Sequence, residues 1–224
     1  MRRALSLAID RQEITDAVGA GVDGAIQVAS FAVPSEAPGG IPGSPPAGDG
    51  YERNVDEARS LVAAAYPNGV TAELTFDAGS QDYSTAARVL TTQLAAVGIT
   101  LNLVPVDSTA LYTELGNQNF ELTLAITGPL TPTILDPLIY QLGIMYGWSG
   151  ADPSTVQALF DEAAATDDTS VWADRAEQIS DDMTATGSMY GVFTAAPIWA
   201  VQPWVSGFDP YVYYSFSPDG FSVG

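Results

Sequence analysis

Between Val70 and Ile126 the apolar residues change their spacing four times, and this alternation constrains the fold more than any other feature of the chain. Val70, Ala72, Leu74 and Phe76 recur at every second position, the period of a pleated strand. From about Ser84 to Val97 the spacing is helical, and Gly98 stands just past the end, where a left-handed residue closes a helix. Ile99, Leu101, Leu103 and Pro105 return to alternation, Asp107 and Ser108 open a second helix to about Leu115, and Phe120–Ile126 reads as a third strand. Strand, helix, strand, helix, strand with short connections predicts an α/β fold whose sheet is covered by crossover helices. Leu90, Leu94 and Val97 are expected to be buried against that sheet.

The flanks are less regular. Ala4, Leu5, Leu7, Ala8 and Ile14 predict a helical start, with Asp10 capping a second helical stretch to about Val18. Gly19 to Gly50 is rich in Gly and Pro and reads as a long loop with one short strand near Ile26–Phe31. Asn54 with Glu57 reads as a capping box for a helix through Ala65, and Pro67-Asn68-Gly69 as a turn. Two longer helices are expected near Pro153–Ala165 and Val171–Ala185, followed by an aromatic, β-like stretch from Met189 to Phe216.

Composition excludes several functions. The formal charge is −20, from 27 acidic residues and seven arginines without Lys or His, a field that repels phosphate backbones and speaks against nucleic acid as a partner. Without His or Cys there is no Ser-His-Asp or Cys-His nucleophile and no favoured zinc ligand, and without Lys no Walker loop. Gly19-x-Gly21-x-x-Gly24 matches the dinucleotide fingerprint in letters. However, a helix precedes it and a Pro-rich loop follows, so the match reads as a helix stop. No cofactor and no metal site is expected. Asp161-Glu162, Asp167-Asp168 and Asp181-Asp182 are the densest carboxylate pairs, and caps or solvated helix faces account for them. They leave a secreted, carboxylate-dependent hydrolase of the glycosidase kind as the alternative to a binding module. Tyr140, Tyr146, Trp148, Trp199, Trp204, Tyr211, Tyr213 and Tyr214 concentrate after the third strand, where aromatic rings pack a core or line a cleft. Met1-Arg2-Arg3 runs directly into amphipathic sequence without an apolar signal core, which reads as a piece of a longer protein.

Taken in order, these segments resemble the family 5 solute-binding proteins of the peptide/nickel type. Met1 to Ile14, MRRALSLAIDRQEI, is similar to that family's "RRALSLAIDREEI" helix. Asn54–Gly69 resembles its "AR-x-L-L-x-x-A-G-Y-P-x-G" helix and turn, with Ala65 at the usual Gly. Leu90–Asp107 resembles "LQxQLxxVGIxVxLxxVD", Asp136-Pro137 the "DYPDP" segment, Trp172–Ile179 a later family helix, and Val205-Ser-Gly-Phe208 the closing "V-x-G-F".

The resemblance implies a lobe like those of type II periplasmic binding proteins, a mixed sheet flanked by helices. Residues 1–208 would form the C-terminal ligand-binding lobe, and 209–224 a tail returning to a first lobe. It implies capture of a peptide-like or other small solute between two lobes by an extracytoplasmic, non-enzymatic protein, periplasmic or a membrane-anchored lipoprotein, that serves an ABC permease. Gly128, Leu130, Thr133, Asp136 and Tyr140 are the site residues implied. Peptide-binding members place an aromatic and an Asp just before the Asp-Pro step, and here those positions fall near Leu130 and on Thr133. A neutral Thr forgoes a charge-assisted bond to a peptide's free amine, worth about 1.5–3 kcal/mol, which disfavours such a peptide as ligand. The tail carries Tyr211, Val212, Tyr213, Tyr214, Phe216 and Phe221. It is expected to pair with a sheet of its own domain or of a second copy, giving a homodimer that the full-length protein would not form.

Overall fold

Two short helices, α1 (Arg2–Ala8) and α2 (Arg11–Val18), open the chain. They are separate because Ile9 and Asp10 are extended, and the Asp10 side chain accepts from Glu13 N to cap α2. The computed structural model describes residues 1–19, 26–28, 52–125, 154–195, 202–206, 210–211, 215–216 and 222–223.

Strand β1 (Ile26–Val28) and helix α3 (Val55–Ala65) follow. Asn54 caps α3 through Glu57 N, but the reciprocal half of a capping box is absent: Asn54 N donates instead to Leu7 O at 2.8 Å. The Glu57 carboxylate, freed from that task, accepts from Asn54 Nδ2 at 3.1 Å and from the Arg3 guanidinium at 2.8 Å. A local cap has become a tertiary tie between α1 and α3.

Strand β2 (Val70–Asp77), helix α4 (Gln81–Ala95), strand β3 (Ile99–Val106), helix α5 (Ser108–Gly116) and strand β4 (Leu122–Leu124) give the alternation read from the sequence. The three strands form one sheet in the order β3-β2-β4, with both pairings parallel. Gly69 and Gly98 bring the turns before β2 and β3 together at φ +77° and +90°, and Val70 N donates to Gly98 O at 3.1 Å.

In this register Val70, Ala72, Leu74 and Phe76 share one face with Ile99, Leu101, Leu122 and Leu124. That face packs on α4, whose Leu90 and Leu94, with the neighbouring Val97, are 4%, 2% and 2% exposed as expected. Buried residues of α1, α2 and α3 complete the same core. The step from β3 to β4 crosses β2 in the direction opposite to the step from β2 to β3. Right-handed crossovers therefore put α5 on the other face, where Leu111 and Leu115 are buried.

Helices α6 (Ser154–Ala164) and α7 (Thr169–Thr186) pack on each other. Strand β5 (Phe193–Ala195) pairs antiparallel with β1. Buried Arg11 fastens this end of the chain, donating to Gly191 O and to Ser6 Oγ, each at 2.8 Å. Nearby, burial pushes the Tyr190 phenol up, against the opposing field of Arg11, Arg3 and Arg2. In the tail, β6 (Val205–Ser206) pairs with β9 (Ser222–Val223), and β7 (Pro210–Tyr211) with β8 (Ser215–Phe216), all within the chain.

Candidate functional site

Parallel strands that leave their sheet in opposite directions open a crevice beyond their carboxyl ends, and open α/β sheets bind ligands there. The order β3-β2-β4 contains such a divergence, with β2 feeding α4 toward β3 and β4 arriving on the far side. The candidate site is therefore the carboxyl edge of β2 and β4.

Its described rim is short. After Phe76, which is 4% exposed and anchors the end of β2 in the core, Asp77 Oδ1 accepts from Gly79 N at 2.8 Å and turns the chain through Ala78 and Gly79. Ser80 Oγ accepts from Tyr83 N at 3.2 Å and starts α4 at the edge. Ala78 N donates to Val106 O at 2.7 Å, carrying the ladder between β2 and β3 to the rim. Asp107 follows, half of its carboxylate committed to Ala110 N at 3.0 Å as the cap of α5. The N-termini of α4 and α5 thus both open at this edge. Leu124 ends β4, and the chain continues from there toward residue 126.

Gly128, Leu130, Thr133, Asp136 and Tyr140 lie outside the described residues, as do the Gly128–Pro137 segment, Tyr146, Trp148 and Trp199. Sequence reading placed the site on this segment and missed the Asp77–Ser80 and Asp107 rim. The signal was present in Asp77-Ala-Gly-Ser80, an Asx turn running into an N-cap between strand and helix.

Asp161, Glu162 and Asp168 of the acidic pairs make structural hydrogen bonds. Asp161 accepts from Gln157, Glu162 from Arg175 at 2.7 Å, and Asp168 caps the start of α7 through Ser170 N and Oγ. Hydrogen bonding from the Ser170 hydroxyl, then its amide, holds the Asp168 carboxyl below the usual carboxylate range. No cluster suited to a metal occurs among the described residues. Trp172 donates to Thr166 O at 2.8 Å and so braces the turn between α6 and α7, whereas Trp204 is 57% exposed. Gly19 caps α2 by its backbone and β1 is the next described element, whereas Gly21 and Gly24 lie outside the described residues. An open depression lined by Asn68, Gly69, Ala95, Gly98 and Thr100 lies at the amino ends of β2 and β3, opposite the switch point.

Residues 1–143 match the family model described as "Bacterial extracellular solute-binding proteins, family 5 Middle". The chain belongs to that family. No curated protein matches it, but solved structures do. The oligopeptide-binding protein AppA from Bacillus subtilis, in complex with a nonapeptide, shares 18% identity at a TM-score of 0.71, covering 94% of this chain and 44% of that one. The clavulanic acid biosynthesis oligopeptide binding protein 2 shares 20% at a TM-score of 0.76, covering 99% and 43%. A mannohexaose-bound periplasmic oligopeptide-binding protein from Thermotoga maritima shares 16% at 0.70, covering 94% and 43%. At these identities the likeness is one of fold. The chain spans about two fifths of the length of each of these structures. Its α/β architecture is that of the periplasmic-binding-protein-like neighbours. Among the described residues no helix is long and apolar enough to cross a membrane.

Proposed function

We propose that this chain is the C-terminal lobe of the extracytoplasmic capture component of an ABC importer. It presents the carboxyl edge of β2 and β4 to a peptide-like or other small solute. A second lobe closes over the solute and the complete protein delivers it to a membrane permease, without chemical conversion. The observation that supports this reading best is the parallel order β3-β2-β4, whose switch point coincides with the departure of the segment carrying Gly128, Leu130, Thr133, Asp136 and Tyr140. These five residues are the proposed solute contacts of this lobe. Thr133 stands where peptide-binding members carry an amine-binding Asp, so the solute is held without that point charge. Residues 209–224 are the proposed tail toward the first lobe. Isolated two-stranded ribbons such as β6–β9 and β7–β8 are marginal alone, so in the absence of that lobe the tail recruits a second copy. Export is as a free periplasmic protein or a surface lipoprotein.

Calorimetry on the chain and on the complete protein tests the proposal, using the solute that the complete protein retains through purification. The chain alone is expected to bind it weakly or undetectably, because half the pocket is missing and water is not excluded. Submicromolar binding by the chain alone would place the whole site within one lobe and overturn the two-lobe reading.

A further inference from the structure

We infer that the solute captured at this edge carries net positive charge, selected by the field of the lobe. The inference rests on the proposed capture function, whose location comes from sheet topology and not from charge. Its basis is an inventory that the sequence makes complete. The chain has seven arginines and no other cation, and all seven lie among the described residues. The segments outside the description add only carboxylates, Asp136 and Asp152 in residues 126–153.

The arginines are directed elsewhere. Helix α4 runs from the carboxyl edge at Ser80 to the amino edge at Gly98, and its 15 residues span about 22 Å. Arg59 binds Asp56 and Ala96 O beyond the far end of that helix. Arg53 pairs at 3.5 Å with Asp10, whose backbone is held by Gln93 in the last turn of α4. Arg3 is paired with Glu57, Arg175 with Glu162, Arg11 is buried, and Arg2 lies beside Gly187 and Tyr190. Arg88 donates to Thr85 Oγ1 at 3.2 Å, which sets its guanidinium five residues along α4 from Ser80, about 8 Å from the rim.

At the rim stand Asp77, Asp82 in the first turn of α4, and Asp107. Each helix N-terminus there is equivalent to about half a positive charge, so three carboxylates against two helix ends leave about two negative charges. An anionic solute would meet net repulsion, because Arg88 offsets only about one of those two charges. A cationic one would be attracted, and the effect is long-ranged and screened by salt.

The test uses 15N-labelled full chain and three N-acetylated, C-amidated tripeptides, Gly-Lys-Gly, Gly-Gln-Gly and Gly-Glu-Gly, which differ only in charge. Amide shifts at Asp77–Asp82 and Asp107–Ala110 report occupancy of the edge. In ~10 mM salt the Lys peptide is expected to bind there about tenfold more tightly than the Glu peptide, with the Gln peptide between. The difference should collapse near 1 M salt, where the screening length is about 3 Å. Equal binding of all three at the edge would overturn the charge preference and leave capture standing. Shifts from the Lys peptide spread over the acidic surfaces of α6 and α7 would mean that the charge serves solubility only, and would also overturn it. No shift at the edge with any peptide, in the chain and in the 15N-labelled complete protein alike, would sink the capture reading itself, and this inference with it.

Discussion

Gln93 is 7% exposed in the last turn of α4, and its amide is fully used. It accepts from Asp10 N at 2.9 Å and donates to Asp10 O at 3.2 Å and to Glu13 Oε2 at 2.7 Å. The extended break between α1 and α2 has no helical partner for these backbone groups, and Gln93 supplies one. Gln93→Leu keeps the bulk and removes the partner. It should cost about 1–3 kcal/mol, read as a lower urea midpoint, with a wild-type midpoint contradicting the assignment. Gly69 is constrained in another way: at φ +77° an added Cβ would sit 3.0 Å from Gly98 O. Gly69→Ala should therefore destabilise by about 1–2 kcal/mol in the same assay. Thr133 is one of the proposed solute contacts. If it stands at the amine-binding position, Thr133→Asp in the complete protein should strengthen binding of free-amine peptides tenfold or more, by a bond worth about 1.5–3 kcal/mol. Calorimetry showing no gain would remove Thr133 from the contact set.

Helix ends carry the clearest pH signature. Asp168, its carboxyl lowered chiefly by the Ser170 hydroxyl, stabilises the start of α7 when ionised. Because its folded pKa lies below the unfolded one, the contribution is present above the ordinary carboxylate pKa and is lost as pH falls through the lowered folded value. Ser170→Ala should move the Asp168 carboxyl midpoint upward in a carbon-detected titration. An unmoved midpoint would assign the shift to another cause. Elements with a strict period were legible in the sequence, and their errors lay at the ends. Helix α4 starts a turn earlier than Ser84, because Gln81-Asp82-Tyr83 is polar and reads as loop until Ser80 is seen capping it. The third strand is Leu122–Leu124 where Phe120–Ile126 was expected, with residue 126 outside the description. Just before it the Glu121 carboxylate takes the ladder's place, accepting from Glu73 N at 2.7 Å. No periodicity reports such a substitution. The proposed site segment rests on family resemblance alone, since a Gly/Pro-rich stretch carries no spacing from which to place side chains.

At the scale of the molecule, the described residues form a three-stranded parallel sheet whose carboxyl edge is the proposed wall of a pocket. The proposed role of residues 209–224 rests on the same two-lobe proposal. Light scattering on the chain with and without residues 209–224 should show a dimer that reverts to monomer on truncation, and a monomer in both cases would contradict the proposed role of the tail. The central claim is that the carboxyl edge of β2 and β4 is one wall of a two-walled site. It is tested most directly by a crystal structure of the complete protein with its retained solute. The account predicts solute density over the Asp77–Ser80 and Asp107 rim, against the 128–140 segment and covered by the other lobe. Solute bound at the amino edge beside Gly69 and Gly98, or enclosed by this lobe alone, would contradict it.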